Sequence, residues 1–239
     1  MPEAIERCEK FLAQGLANRQ ADALVLAVLA HLRAMQGDFE EARELYTRAR
    51  ALFEELGLAV LAAWTSFRSS AVEMLAGDPA RAEEELRKDV ETLREMGEKF
   101  TLPPLTAHLA QSVFAQGRSQ EAAQIADLAK ELAAEDDLEA QVLWRGVRAR
   151  ILATEGSFEE AERLAREAVD LMRTSDAPVR QADALMDLAV VLVKSGQTHA
   201  AQAVIEESRK LYESKQSTVA RAQAEALLAE LELTRSASA

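Results

Sequence analysis

A glycine ruler runs through this chain. Gly37, Gly57, Gly77, Gly97 and Gly117 recur every twenty residues, and Gly156 and Gly196 continue at intervals near forty, which accounts for seven of the nine glycines. Glycine tolerates the left-handed backbone that ends a helix, so the ruler reads helix, stop, helix, stop. Two such helices make one unit of about forty residues, and an internal repeat of that length restricts the fold to a stacked array.

Anchored on the glycine that closes each first helix, the units superpose without gaps. The strings are GDFEEA from Gly37, GDPARA from Gly77, GRSQEA from Gly117, GSFEEA from Gly156 and GQTHAA from Gly196, at intervals of 40, 40, 39 and 40. Each ends in alanine: Ala42, Ala82, Ala122, Ala161 and Ala201. Seven residues before each glycine stands another small residue, Ala30, Ser70, Ala110, Ala149 or Ala189. Small side chains at both places let two antiparallel helices approach closely.

The apolar residues follow helical spacing. Ala42, Leu45, Tyr46, Ala49, Leu52, Phe53 and Leu56 form one stripe, matched by Ala161, Leu164, Ala165, Ala168, Leu171 and Met172 in the fourth unit. Glu40, Glu41, Glu44, Arg48, Glu159, Glu160, Arg163 and Arg166 fall between the stripes as a solvated face. A helix pair cannot bury its stripe alone, so neighbours must stack. The expected fold is all-α, a solenoid of about twelve helices in one continuous array. Residues 2–14 read as the second helix of a truncated repeat, with the array expected to have continued upstream in a parent protein. Five pairs follow at 17–57, 58–97, 98–136, 137–175 and 176–215, then a C-terminal capping helix at 217–234 and a frayed tail at 235–239.

Gly-Asp-Phe-Glu-Glu-Ala followed by an alternating aromatic and alanine stripe resembles the tetratricopeptide repeat, in a variant with units longer than usual. The stretches AIERCEKFL, AMQGDFEEARELYTRARALFEELG, FAQGRSQEAAQIADLAKELAAEDD and QVLWRGVRARILATEGSFEEAERLAREAV are similar to the helical region that ends many actinobacterial multidomain proteins. Those carry a cyclase-like domain and an AAA-type or signal-transduction ATPase ahead of the repeats, and related repeats follow LuxR-type and maltose-regulator-type ATPases. The resemblance implies a right-handed superhelix in a bacterial signalling protein, with a concave groove lined by the first helix of each pair.

Composition narrows the function classes. A formal net charge of −13 and a pI near 4.8 argue against nucleic-acid binding, which needs a concentrated basic surface. The longest apolar run, Ala23 to Ala30, is far short of a bilayer span, and the N-terminus lacks a signal pattern, so a cytoplasmic protein is expected. Cys8 is the sole cysteine and reads as packing on an opening helix. His31, His108 and His199 lie in different units without ligand-spaced partners, so no metal or other cofactor is expected. The sequence holds no phosphate loop and no nucleophile elbow. Asp38 and Asp78 read as helix N-caps, and the paired glutamates as first-turn acids favoured by the helix dipole. The chain is therefore expected not to be an enzyme.

Function then falls to the groove. The candidate partner-binding residues are Leu24, Ala27 and His31 in the first pair, Trp64, Phe67 and Met74 in the second, and Gln111 and Phe114 in the third. Leu143 and Arg150 follow in the fourth, and Asp183, Met186 and Lys194 in the fifth. The competing reading puts Trp64, Phe67, Met74 and Phe114 in the core. Arg145, Arg148 and Arg150 form a cationic run that either pairs with neighbouring acids or contacts an acidic ligand, and Gly146 among them marks close helix approach or ligand access. Two functions fit: a protein- or peptide-binding scaffold, contacting upstream domains of its own parent in cis, or a sensor whose groove takes a small inducer or signalling peptide. An opening helix with an uncovered stripe also admits a weak homodimer beside the monomer.

Overall fold

In a computed structural model of the chain, which describes residues 1–15 and 18–237, twelve helices form and no strand is present among the described residues. They are α1 (Pro2–Ala13), α2 (Arg19–Gln36), α3 (Phe39–Glu55), α4 (Ala59–Ala76), α5 (Pro79–Glu95) and α6 (Leu102–Ala115). Then come α7 (Ser119–Leu132), α8 (Leu138–Thr154), α9 (Phe158–Met172), α10 (Pro178–Lys194), α11 (Thr198–Ser214) and α12 (Thr218–Ala237). The order is one helix, five antiparallel pairs and one helix. α12 runs past residue 234, where the sequence reading placed its end; residues 238–239 of the expected tail lie outside the described residues.

The ruler glycines end helices as their chemistry requires. Gly37 and Gly77 adopt φ of 96° and 80°, and the following Asp38 and Asp78 amides return to the Arg33 and Glu73 carbonyls, closing the last turn. Beyond the glycines the two aspartates part ways. Asp78 accepts from the Arg81 amide at 3.1 Å, a side-chain N-cap. Asp38 holds the N-cap position without a side-chain cap, its carboxylate lying 3.8 Å from Arg33 instead, which corrects the N-cap expectation there.

The ten small anchors are the hinge of the packing. Ala30, Ser70, Ala110, Ala149, Ala189, Ala42, Ala82, Ala122, Ala161 and Ala201 are all at 0 % exposure. With no side chain to hold them apart, the two helices of each pair meet along these residues, and the larger Leu45, Leu86, Leu164 and Ile205 fill the space on either side. The first helices α2, α4, α6, α8 and α10 form the inner layer and the second helices the outer. The charges assigned to a solvated face, from Glu40 to Arg166, are exposed. Leu56, placed in a buried stripe by its spacing, is also exposed, because α3 ends at Glu55. Ile5 is buried, and Cys8 and Leu12 pack with it against the α2–α3 core, so the stripe of α1 is covered within the chain.

The array closes on itself. The Thr218 hydroxyl donates to the Met35 carbonyl at 3.1 Å, and the Gln223 amide reaches the Leu75 carbonyl at 3.5 Å. α12 thereby satisfies carbonyls left open at the C-terminal ends of α2 and α4, and Leu75 joins the core of the last repeats. The inner faces of the first helices line the concave side, or lumen, of the curve, where Arg180 of α10 comes within 5.9 Å of the Phe67 ring of α4.

Candidate functional site: the inner wall of the superhelix

The inner wall is built around α4, whose eighteen residues include two charges, Arg68 and Glu73. Glu73 faces outward and is paired; Arg68 faces inward beside Trp64 and Phe67 at helical spacing. Phe67 is buried against α6, stacks on Trp64 at 4.4 Å between ring centroids and takes the edge of His108 at 4.6 Å. From the far side, Arg180 in the first turn of α10 lies 5.9 Å over the Phe67 ring and pairs with Glu139 of α8. His31 of α2 looks into the same space. Burial, with the charges of Arg68 and Arg180 behind it, pushes its pKa down to about 4. Burial and the same two guanidiniums hold His108 at about 3, so both imidazoles are neutral. Leu24 and Val28 stand seven and three residues before His31 on its face of α2, and both are exposed.

The opposite end of the lumen is acidic. Asp183 presents an open surface to solvent yet is walled in by the surrounding helices; that enclosure raises its carboxyl to about 6, against the Tyr212 hydroxyl, which donates to it at 2.6 Å. Asp187 is raised by burial and opposed by Arg150, whose Nη1 lies 3.4 Å away. Glu139 is likewise raised by burial, with Arg180 opposing. Asp187 also explains the mid-helix glycine: a Cβ on Gly146 would meet the Asp187 Oδ2 at 2.3 Å.

The candidates from the sequence divide accordingly. His31 and Trp64 sit half-buried on the wall, and Phe67 is core beneath Trp64. Phe114 lies under the Arg150 guanidinium at 5.2 Å, in a separate contact from the Trp64–Phe67 stack. Leu143 and Met186 are half-buried against the core, as are Met74 and Gln111 in their own helices, while Lys194 is exposed in the last turn of α10. The arginine run is structural. Arg145 donates to the Gln141 carbonyl at 2.8 Å and lies 3.3 Å from Glu167, and Arg148 lies 3.4 Å from Asp127. Trp144 is buried beneath Arg145. Sequence reasoning passed over Arg68, although a lone inward charge on an apolar helix was a legible signal. It also passed over Arg180, Glu139 and Asp187, whose pairings depend on how α8 and α10 stack.

A second concavity of about 300 Å³ opens between α3, α4 and α5. There Arg43 grips Glu73 through two bonds of 2.9 and 2.6 Å, and Arg50 grips Asp89 through two of 2.6 and 2.7 Å, with Ser66 bonded to both. Glu73 and Asp89 are buried and their charges satisfied, so this cleft is a tie that holds outer helix α3 to inner helix α4 and to the next outer helix α5. Among the described residues no histidine, cysteine and carboxylate cluster could hold a metal, and no helix is long and apolar enough to cross a membrane.

The tetratricopeptide repeat family model matches residues 23–48 and 143–167, which fall in the first and fourth pairs. No curated protein matches the sequence. Among solved structures, BtubC (BKLC) from P. vanneervenii is 16% identical, with 90% of this chain and 89% of that one covered at a TM-score of 0.60. A Rap protein complexed with competence and sporulation factor is 11% identical, covering 96% and 70% at 0.61. A signal transduction ATPase with numerous domains from Pyrococcus horikoshii, carrying a tetratricopeptide repeat sensor, is 13% identical, covering 97% of this chain and 34% of that one at 0.60. At such identities the likeness is one of fold, and the fold is the tetratricopeptide-repeat superhelix.

Proposed function

We propose that this chain is a non-catalytic module that binds a peptide or protein segment along its inner wall. The observation that carries the reading is the apolar character of adjacent first helices: exposed Leu24 and Val28 on α2 and half-buried Trp64 on α4. An apolar strip bordered by fixed polar points suits an amphipathic helix or an extended segment. Tetratricopeptide-repeat proteins are generally scaffolds, and the Rap protein of the same fold was solved in complex with competence and sporulation factor. Since the ATPase of similar fold uses such an array as its sensor, regulation of a larger signalling ATPase or cyclase-type protein is the role this module fits.

The test is capture from lysate of the source cell, comparing the native chain with a Val28→Asp, Trp64→Ala variant whose helicity is verified by circular dichroism. A defined protein held by the native chain and lost with the variant is expected. Equal retention by both would place the contact elsewhere. A small molecule recovered in place of a protein would support the sensor reading.

A further inference from the structure

The arginines of this chain are almost all spoken for. Among the described residues, Arg48 and Arg68 have neither an ion pair nor a hydrogen bond, and Arg48 lies on the exposed outer face. Arg68 is half-buried on the inner wall, and its charge acts on His31, Tyr46, His108 and Glu139, which come from four other helices. Its guanidinium lies over the Trp64 ring, 6.0 Å from the centroid, a contact that replaces some of the lost water but supplies no counterion. Two of its neighbours are also unsatisfied. The Tyr46 hydroxyl is buried with no hydrogen-bond partner, on a residue 3% exposed, and His31 Nδ1 is buried with none. Leaving such groups unmatched costs stability unless something arrives to match them.

Building on the peptide-binding reading, we infer that Arg68, with the Tyr46 hydroxyl and His31, is the anion-recognition point of the inner wall, and that it takes the carboxylate of an acidic residue in an otherwise apolar peptide. The apolar part follows from Leu24, Val28 and Trp64 beside it. The single negative charge follows from the balance around it. His31 and His108 are neutral, leaving one uncompensated cation, and Glu139, Asp183 and Asp187 farther round the lumen repel a dense anion such as a phosphate dianion. The Arg68 guanidinium donates to the carboxylate oxygens and the Tyr46 hydroxyl donates a further bond. Trp64, stacked on Phe67 and lying under the guanidinium, holds Arg68 on the wall, and exposed Leu24 and Val28 on the adjacent α2 take the neighbouring apolar residue.

The experiment is fluorescence anisotropy with short blocked peptides of leucine and alanine carrying one central Glu, Gln or phosphoserine, and with the Gln peptide bearing a free C-terminal carboxylate. The proteins are the native chain, Arg68→Gln, Tyr46→Phe and, as an outer-face control, Arg48→Gln. The Glu peptide is expected to bind the native chain and Arg48→Gln alike and to weaken about tenfold with Arg68→Gln, as loss of a charge-assisted pair requires. Tyr46→Phe separates recognition from structure: removing a buried hydroxyl without a partner should raise the melting temperature while weakening the Glu peptide several-fold. Tighter binding of the free-terminus peptide would keep the carboxylate and move its source to a chain end. Equal binding of Glu and Gln peptides, or indifference to Arg68→Gln, would overturn the anion point and leave the apolar groove standing. Preference for phosphoserine would overturn the single-charge assignment. Failure of every peptide to bind would overturn both readings.

Discussion

Gly146 shows how a single position can be read from sequence as an anomaly without its cause. A glycine inside a helix gives up as much as about 1 kcal/mol relative to alanine. Its compensation comes from Asp187, forty-one positions later, whose carboxylate occupies the space of the missing Cβ and meets Arg150. Gly146→Ala should therefore destabilise the chain by about 1–2 kcal/mol in urea melts despite the gain in helix propensity, because Asp187 must turn away from Arg150. A more stable alanine variant would contradict this account. Asp183 carries the second residue-scale expectation. Its pKa of about 6 in the folded chain lies above the ordinary aspartate value of 3.8, so the folded state binds the proton more readily than the unfolded chain. Stability from this group thus falls as pH rises from about 4 to about 6 and stays lower above it. Asp183→Asn should flatten that segment of the stability profile and raise stability at neutral pH, while its amide oxygen still accepts from Tyr212. An unchanged slope in Asp183→Asn would show that Asp187 and Glu139, raised by the same enclosure, carry the pH dependence instead.

The helices were the most legible level, because each is written locally by its glycine stop and its apolar stripe. Where the ruler skips, the chain improvises. α7 ends at Ala133 in extended backbone and α9 at Arg173 in a right-handed turn, so the second helices of those pairs stop without a left-handed residue. After α11 the left-handed position is kept but its glycine is absent: Gln216, twenty residues beyond Gly196, has φ of 56°. A side chain there costs about 1 kcal/mol, and Gln216→Gly should recover most of it as a higher midpoint with an unchanged denaturant slope. The ionic ties from α3 to α4 and α5 were less legible. Glu73 and Asp89 look like two more charges in an acidic chain, yet both are buried with bidentate arginine partners. Asp89→Ala would leave half-buried Arg50 with Glu54 as its one counterion and Ser66 without its acceptor, for an expected loss of about 2 kcal/mol. Substitution of exposed Glu159 should change stability by less than about 0.5 kcal/mol. Comparable losses at the two positions would mean the tie is not structural.

Closure of the array belongs to no helix and to no residue pattern. It arises from a small rotation at each stacked pair, summed over five pairs, until α12 reaches α2 across 183 residues of sequence. The inner wall has the same origin: Arg180 of α10 meets Phe67 of α4, and its charge reaches His31 of α2, only because the curve is tight. Residues such as Trp64 and His31 could be placed on inward faces from periodicity, but what stands opposite them could not. In an open solenoid the two ends are nearly independent, since each repeat touches only its neighbours. Here the Thr218 and Gln223 bonds and the seat of Val219 on Gly37 tie the ends together. Ala224→Glu, at a fully buried position of α12, should therefore raise amide hydrogen exchange in α2 and at the end of α4 as well as in α12 itself. The middle helices α6 and α7, remote from the seam, should keep their protection until global unfolding. Faster exchange confined to α12 would mean that the ends touch without sharing stability. Faster exchange in α2 would make α12 the element that holds the lumen shut around whatever Arg68 receives.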